Sequence, residues 1–279
     1  MLELTPNQYA AVEPLIAGLD QAVLPRAVLE GTTPGWVFAN DRTAPTSALI
    51  GLPCGYFFGA GQAPQGDELT AARRRVNNAL VPRSQATGNF GFLFSFSGED
   101  WIKSLPILLL GRSPFHIFRR AFRFDPVQFA RVEQELPPLP QGFALRAVDA
   151  DLLDERPELA QDILGTWPSL YTYLKNGCGM AVIHGAEVAS VCFAAFATSE
   201  RMEISVTTAE AYRRRGFARQ AAAAFIRVCL GRGKQPNWDC FWDNAPSAAL
   251  AQSLGYGAHK DYPIFYWEER VEELPPREG

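Results

Sequence analysis

Residues 202–231, MEISVTTAEAYRRRGFARQAAAAFIRVCLG, constrain this chain more than any other stretch. MEISVTT (202–208) is short and rich in β-branched residues, which reads as a strand. From Phe217 the apolar positions 217, 221, 224, 225 and 228 recur at helical spacing, with Arg219 and Arg227 on the opposite face. Gly231 supplies a C-terminal stop. YRRRG is then the loop that feeds strand into helix. Three arginines there meet the positive end of a helix dipole, which costs roughly 0.3–1 kcal/mol per charge. A bound anion offsets that cost. Amide N–H groups at a helix start, together with guanidinium groups, form a site suited to phosphate. The pattern GxxxxGK[ST] is absent and no GxGxxG follows a strand, since Gly59-Ala60-Gly61 leads towards proline instead, so the cradle belongs to another class.

Charge sharpens this reading. Residues 1–140 carry 12 basic and 12 acidic groups, whereas 141–279 carry 14 and 18, for a net −4. Between Tyr212 and Lys234 there are seven basic residues and no acidic one, so a single positive locus sits in an acidic half. The two halves meet at ELPPLPQG (135–142), where three closely spaced prolines stop any regular element. The expected division is an N-terminal α/β accessory domain over 1–136 and a second domain over 141–279, and 279 residues suffice for two cores.

Other function classes find little support. Five scattered cysteines (54, 178, 192, 229, 240) form no CxxC pair and the three histidines lie far apart, so no metal site is expected and the thiols read as buried and reduced. The longest apolar run, LPILLLG (105–111), is too short for a membrane span. MLELTPNQYAAVEP lacks the charged and apolar regions of a signal peptide, so the expected location is cytoplasmic, without membrane contact. Nucleic acid is not expected as a partner at a sequence pI near 5.5. Arg73–Arg75 read as a solvated helix face. Arg119, Arg120 and Arg123 alternate with aromatics as in a half-buried strand, and Trp167, Tyr171 and Tyr173 read as core, with an acceptor pocket as the alternative.

Arg213-x-x-Gly216-x-Ala218 matches the Q/R-x-x-G-x-G/A signature of the Gcn5-related N-acetyltransferase (GNAT) superfamily. Downstream, NWDCFWDNAPSAALAQSLGYGAHKDYPIFYWE (237–268) resembles that family's next block of strand, helix and closing strand. Upstream, GFALRAVDADLLDE (142–155) resembles its first strand and turn, and GMAVIHGAEVASVCFAAFA (179–197) reads as a hairpin turning at Gly185-Ala186. The whole resembles a bacterial GNAT subgroup that carries an extra N-terminal α/β domain. The fold class so implied is α/β (α+β), with a mixed, splayed central sheet flanked by helices over 141–279.

The resemblance implies acetyl-CoA as co-substrate, an amine acceptor, and direct transfer in a ternary complex without a metal. It places the cofactor's pantetheine arm on Val206, Thr207 and Thr208 and its pyrophosphate on the loop Arg213, Arg214, Arg215, Gly216, Phe217, Ala218 and Arg219. Asn244 and Ser247 are candidates both for capping the next helix and for touching the cofactor. Glu203, on the strand face shared with Ser205 and Thr207, is the candidate general base, with a salt bridge to arginine as the alternative. The tyrosine that many members carry four residues before the Gly-aromatic pair is missing, because that position is Ala251. Tyr256, or else Tyr262 or Tyr266, is the candidate general acid, with plain packing as the alternative. The missing tyrosine keeps open a rival reading, a non-catalytic acyl-CoA sensor. The acidic excess around the basic loop favours a cationic acceptor, the N-terminal half is expected to close one side of the acceptor cleft, and a homodimer is left open.

Overall fold

A computed structural model describes residues 1–20 and 23–269. Its contacts divide the chain into two compact units that interleave in sequence: unit 1 comprises 1–20, 35–117 and 263 onward, and unit 2 comprises 21–34 and 118–262. The proline-rich stretch at 135–142, expected to separate two domains, therefore lies inside unit 2. Prolines stop helices and strands there, but chain geometry alone does not set where a core ends.

Unit 1 begins with β1 (Leu2–Glu3), β2 (Trp36–Ala39), β3 (Ser47–Gly51) and β4 (Tyr56–Gly61), each antiparallel to the next. A helical run over 66–85 leads to β5 (Gly91–Phe96), which pairs parallel to β4 from Tyr56↔Leu93 to Gly59↔Phe96. The helix Glu99–Leu108 follows. Its Trp101 is buried and donates from Nε1 to the Gly61 carbonyl at 3.0 Å. A Cβ on Gly59 would stand 2.7 Å from that indole, so the glycine is needed for the ring to lie against β4. Phe57, Phe92, Phe94 and Trp267 complete an aromatic core.

Unit 2 contains the second part of β6 (Phe115–Phe124), then β7 (Phe143–Ala147), β8 (Gly179–His184), β9 (Glu187–Ala197), β10 (Arg201–Thr208), β11 (Gln235–Phe241) and the first part of β12 (Tyr256–Glu268). β7 to β10 form an antiparallel series, and the hairpin turns at Gly185, whose φ is 56°. β11 is parallel to β10 on one side and antiparallel to β6 on the other, with Trp238↔Phe122 through Phe241↔Arg119 in register. The helix Phe217–Gly231 lies between β10 and β11 in sequence, and Ala221–Ala224, Phe225, Ile226 and Cys229 are buried along it. Four successive alanines keep the helix thin, which allows close approach to the sheet.

The two units repeat one plan: an antiparallel series, a parallel pair joined through a helix, a second helix, and a closing antiparallel strand. The closing strand is exchanged along the sequence. β5 of unit 1 pairs with Phe265–Glu268 of β12, from the end of the described chain, while β11 of unit 2 pairs with Arg119–Phe122 of β6, from its middle. The core of unit 2 likewise takes Phe122 and Phe129 from before the proline-rich stretch.

Candidate functional site

β10 and β11 pair only at Arg201↔Gln235, Met202↔Pro236 and Glu203↔Asn237. Beyond that point they diverge. β11 stays with β6 through Phe241, while β10 stays with β9 through Thr208↔Ser190, after a register shift that leaves Ala195 of β9 as an extra residue opposite the Glu203/Ile204 step. Such a bulge adds local twist. Among the described residues Ile204–Thr208 consequently carry a strand edge with no neighbour on the β11 side, and that edge borders a cleft of about 730 Å³. Trp238–Phe241, Asn244, Pro246, Ser247, Leu250 and Arg119 form the opposite wall.

The loop expected to hold phosphate closes one end. Arg214 (φ 61°) and Gly216 (φ 82°) are both left-handed, a geometry that turns successive amides onto one concave side. Gly216 is the N-cap of the helix Phe217–Gly231, no side chain caps it, and its first turn holds no acidic residue. The first-turn amides are therefore open to the cleft, which Gly216, Phe217, Ala218 and Arg219 line together with Arg213 and Arg214. Arg213 Nε donates to the Thr208 carbonyl at 3.4 Å and Arg219 Nε to that of Ser253 at 3.3 Å. Among the described residues none of these arginines pairs with a carboxylate. Arg215 departs from expectation. Its guanidinium lies over the rings of Phe143, Tyr212 and Phe217 at 5.1–5.6 Å, and it is not part of the cleft wall.

At the point of divergence sits a polar cluster. Glu203 is 5% exposed, and its Oε2 accepts from Asn237 Nδ2 at 2.6 Å. Two residues along the same face of β11, Asp239 is ion-paired with Arg119 of β6 and accepts from the Tyr262 hydroxyl at 2.6 Å. The Arg119 guanidinium also stacks on Phe241 at 4.8 Å. Burial pushes the Glu203 carboxyl up from 4.5 to about 8, the charge on Asp239 pushes the same way, and Arg119, Asn237 and Arg201 oppose them. Among the described residues Glu203 forms no salt bridge with an arginine.

A family model described as GNAT acetyltransferase matches residues 13–265. The chain belongs to the GNAT acetyltransferase family. It is 30% identical over 266 residues, 95% of this chain and 97% of the relative, to the Uncharacterized N-acetyltransferase YdfB of Bacillus subtilis (strain 168). Among solved structures it resembles a GCN5-related N-acetyltransferase-like protein from Streptococcus suis 89/1591, at 26% identity and a TM-score of 0.69 over 94% of this chain and 99% of that one. It also shares the fold of a tandem GNAT protein from the clavulanic acid biosynthesis pathway, with 12% identity, a TM-score of 0.56, and 96% and 97% of the two chains covered. That tandem likeness matches the repeated plan of units 1 and 2. The enzyme is an N-acetyltransferase.

Asn244 is an N-cap, its side-chain oxygen accepting from Ser247 N at 3.1 Å, while Ser247 Oγ accepts from Trp238 Nε1 at 3.0 Å. Both also line the cleft. Tyr256 does not: its buried ring packs on Phe124 and Trp238, its hydroxyl donates to the Pro236 carbonyl at 3.2 Å, and burial holds its pKa well above the usual value. These contacts support a packing role rather than that of a general acid. Ala251 is fully buried and Tyr266 belongs to unit 1. Trp167 and Tyr173 are core, whereas Tyr171 is 75% exposed. Sequence reasoning does not single out Arg119, Asn237 or Asp239 as members of the site, and it reaches Tyr262 only as an alternative general acid, whereas its hydroxyl is held by Asp239. Only the pairing of β6 with β11 brings Arg119 there. Among the described residues no group of three or more His, Cys, Asp or Glu could hold a metal, and no helix is long and apolar enough to cross a membrane.

Proposed function

We propose that this GNAT enzyme transfers an acetyl group from acetyl-CoA to a primary amine, directly and with both bound, in the cleft between β10 and β11. The observation that carries this reading is the released edge Ile204–Thr208 running into an uncapped helix start flanked by arginines. These residues fit the cofactor. A free extended edge offers N–H and C=O groups to an amide-bearing arm much as it would to an added strand, and open helix amides beside guanidinium groups suit a pyrophosphate.

Acetyl-CoA, when bound, supplies an activated acyl group whose thiolate leaving group has a pKa near 8.5, low enough to depart without a dedicated acid. In this reading Val206, Thr207 and Thr208 orient the arm, the amides of 216–219 hold the phosphates, and Arg213, Arg214 and Arg219 neutralise their charge. Arg215 acts differently, pinning the loop to the aromatic cluster of Phe143, Tyr212 and Phe217. Glu203 accepts the proton of the incoming amine, directly or through a water. A base with its pKa near 8 is well matched to that task, and turnover rises with pH through that region.

Calorimetric titration of acetyl-CoA into wild type and Arg213→Ala/Arg214→Ala tests the cradle. Amine-dependent release of CoA thiol tests the chemistry. The reading expects binding that weakens in the variant, together with turnover on some member of an amine panel. Folded wild-type protein that binds no acetyl-CoA overturns it, and binding without turnover on any amine favours the sensor reading.

A further inference from the structure

Two buried carboxylates stand together where β10 and β11 part, and the family pattern accounts for only one of them. Glu203↔Asn237 are in register on parallel strands, so Glu203, Asn237 and Asp239 share one face of the sheet. Asp239 has a side chain 2% exposed, Arg119 is 8% exposed and Tyr262 is fully buried. Asp239 takes its ion pair from β6 and its hydroxyl donor from β12, so it is fixed from two further strands. Nothing so expensive to bury is needed for packing alone, since an apolar pair of similar volume holds a sheet at least as well.

We propose that the Arg119–Asp239–Tyr262 cluster is a positioning device acting through Glu203: Arg119 and Tyr262 fix the Asp239 carboxylate on the face of the sheet that Glu203 and Asn237 share, and the cluster governs when Glu203 takes up and releases its proton. The inference rests on the reading of Glu203 as proton acceptor. The groups that face Glu203 are Asp239 and Asn237 on β11, Arg119 on β6, Arg201 on β10, and Tyr256 and Tyr262 on β12. Of these, Asp239 disfavours the Glu203 anion, while Arg119, Asn237 and Arg201 favour it. Asp239 and Arg119 thus set the Glu203 proton in opposite directions, although they are bonded to each other.

That opposition provides the test. Difference infrared spectra between each protein and its own Glu203→Gln counterpart isolate the Glu203 carboxyl band, and the full-length chain is titrated without substrate. Asp239→Asn is expected to lower the Glu203 midpoint and Arg119→Gln to raise its alkaline step, each by about a unit or more, while Arg119→Lys titrates with wild type. A cluster serving only structure gives the same sign in both variants, because loosening admits water and lowers the midpoint either way, and that result overturns the proposal. If Arg119→Gln does not fold, the double variant Arg119→Gln/Asp239→Asn replaces it. It is expected to titrate above Asp239→Asn, and a midpoint at or below that of Asp239→Asn overturns the proposal. The acid limb of kcat/KM is expected to move in the same order. Opposite midpoint shifts in a protein without transferase turnover would sink the proposed function and leave the cluster's action on Glu203 standing. Turnover with same-sign shifts would do the reverse.

Discussion

Glu203 is buried as a neutral carboxyl, so its contribution to stability depends on pH. Its pKa is about 8 in the fold against 4.5 when free, so between those values the folded chain holds a proton that the unfolded chain has released. The sign follows from proton linkage. The stability contributed by this group is fully present below pH 4.5, falls as pH rises towards 8, and is level beyond, a total on the order of a few kcal/mol. Glu203→Gln removes the dependence, and thermal melts are expected to show the variant gaining on wild type steadily between pH 4.5 and 8. A constant gap between the two would mean that Glu203 is charged in the fold. In kinetics the same variant is expected to lose turnover by about 10²-fold or more while acetyl-CoA affinity holds, checked by calorimetry beside rates. The residue's candidacy was legible in the sequence from its position on the strand. Its environment was not, because Asn237, Asp239, Arg119 and Tyr262 come from three other strands.

At the scale of elements, the loop and its helix make the clearest prediction. Gly216 has φ 82° and open space where a Cβ would stand, so Gly216→Ala meets only backbone strain, roughly 1–2 kcal/mol. Relieving that strain turns the first-turn amides, and acetyl-CoA affinity is expected to fall with stability in chemical denaturation and calorimetry. Asn244→Ala separates two roles. Its side-chain oxygen is already occupied by Ser247 N, so about 1 kcal/mol of stability is expected to go, with acetyl-CoA affinity unchanged. The strand 202–208, the loop, the helix from Phe217 to Gly231 and the hairpin turn at Gly185 were legible because periodicity and turn chemistry are local. Arg215 shows where locality ends. Nothing adjacent in sequence says that its guanidinium will prefer three rings, one of them Phe143 from β7, to a phosphate.

At the scale of the whole molecule, the interleaved units change what a truncation means. Removing residues 1–136 deletes more than an accessory domain. It takes from unit 2 the strand residues Arg119–Phe122 that pair with β11, the core residue Phe129, and Arg119 from the cleft wall. The fragment 137–279 is therefore expected to aggregate or lack a cooperative melt, checked by circular dichroism and light scattering, because β11 would present a bare edge. Cofactor stoichiometry is the other prediction at this scale. In unit 1 the parallel pair β4–β5 stays closed over Tyr56–Gly59 and Trp101 lies against Gly59, so calorimetry is expected to find one acetyl-CoA per chain. The sequence by itself determined the α/β class and the elements around the arginine loop, since each depends on residues a few positions apart. Only the tertiary structure decided which strand closes each unit and which arginine meets Asp239. Those choices rest on contacts between residues more than a hundred positions apart, where each pairing is selected by shape and burial across the sheet.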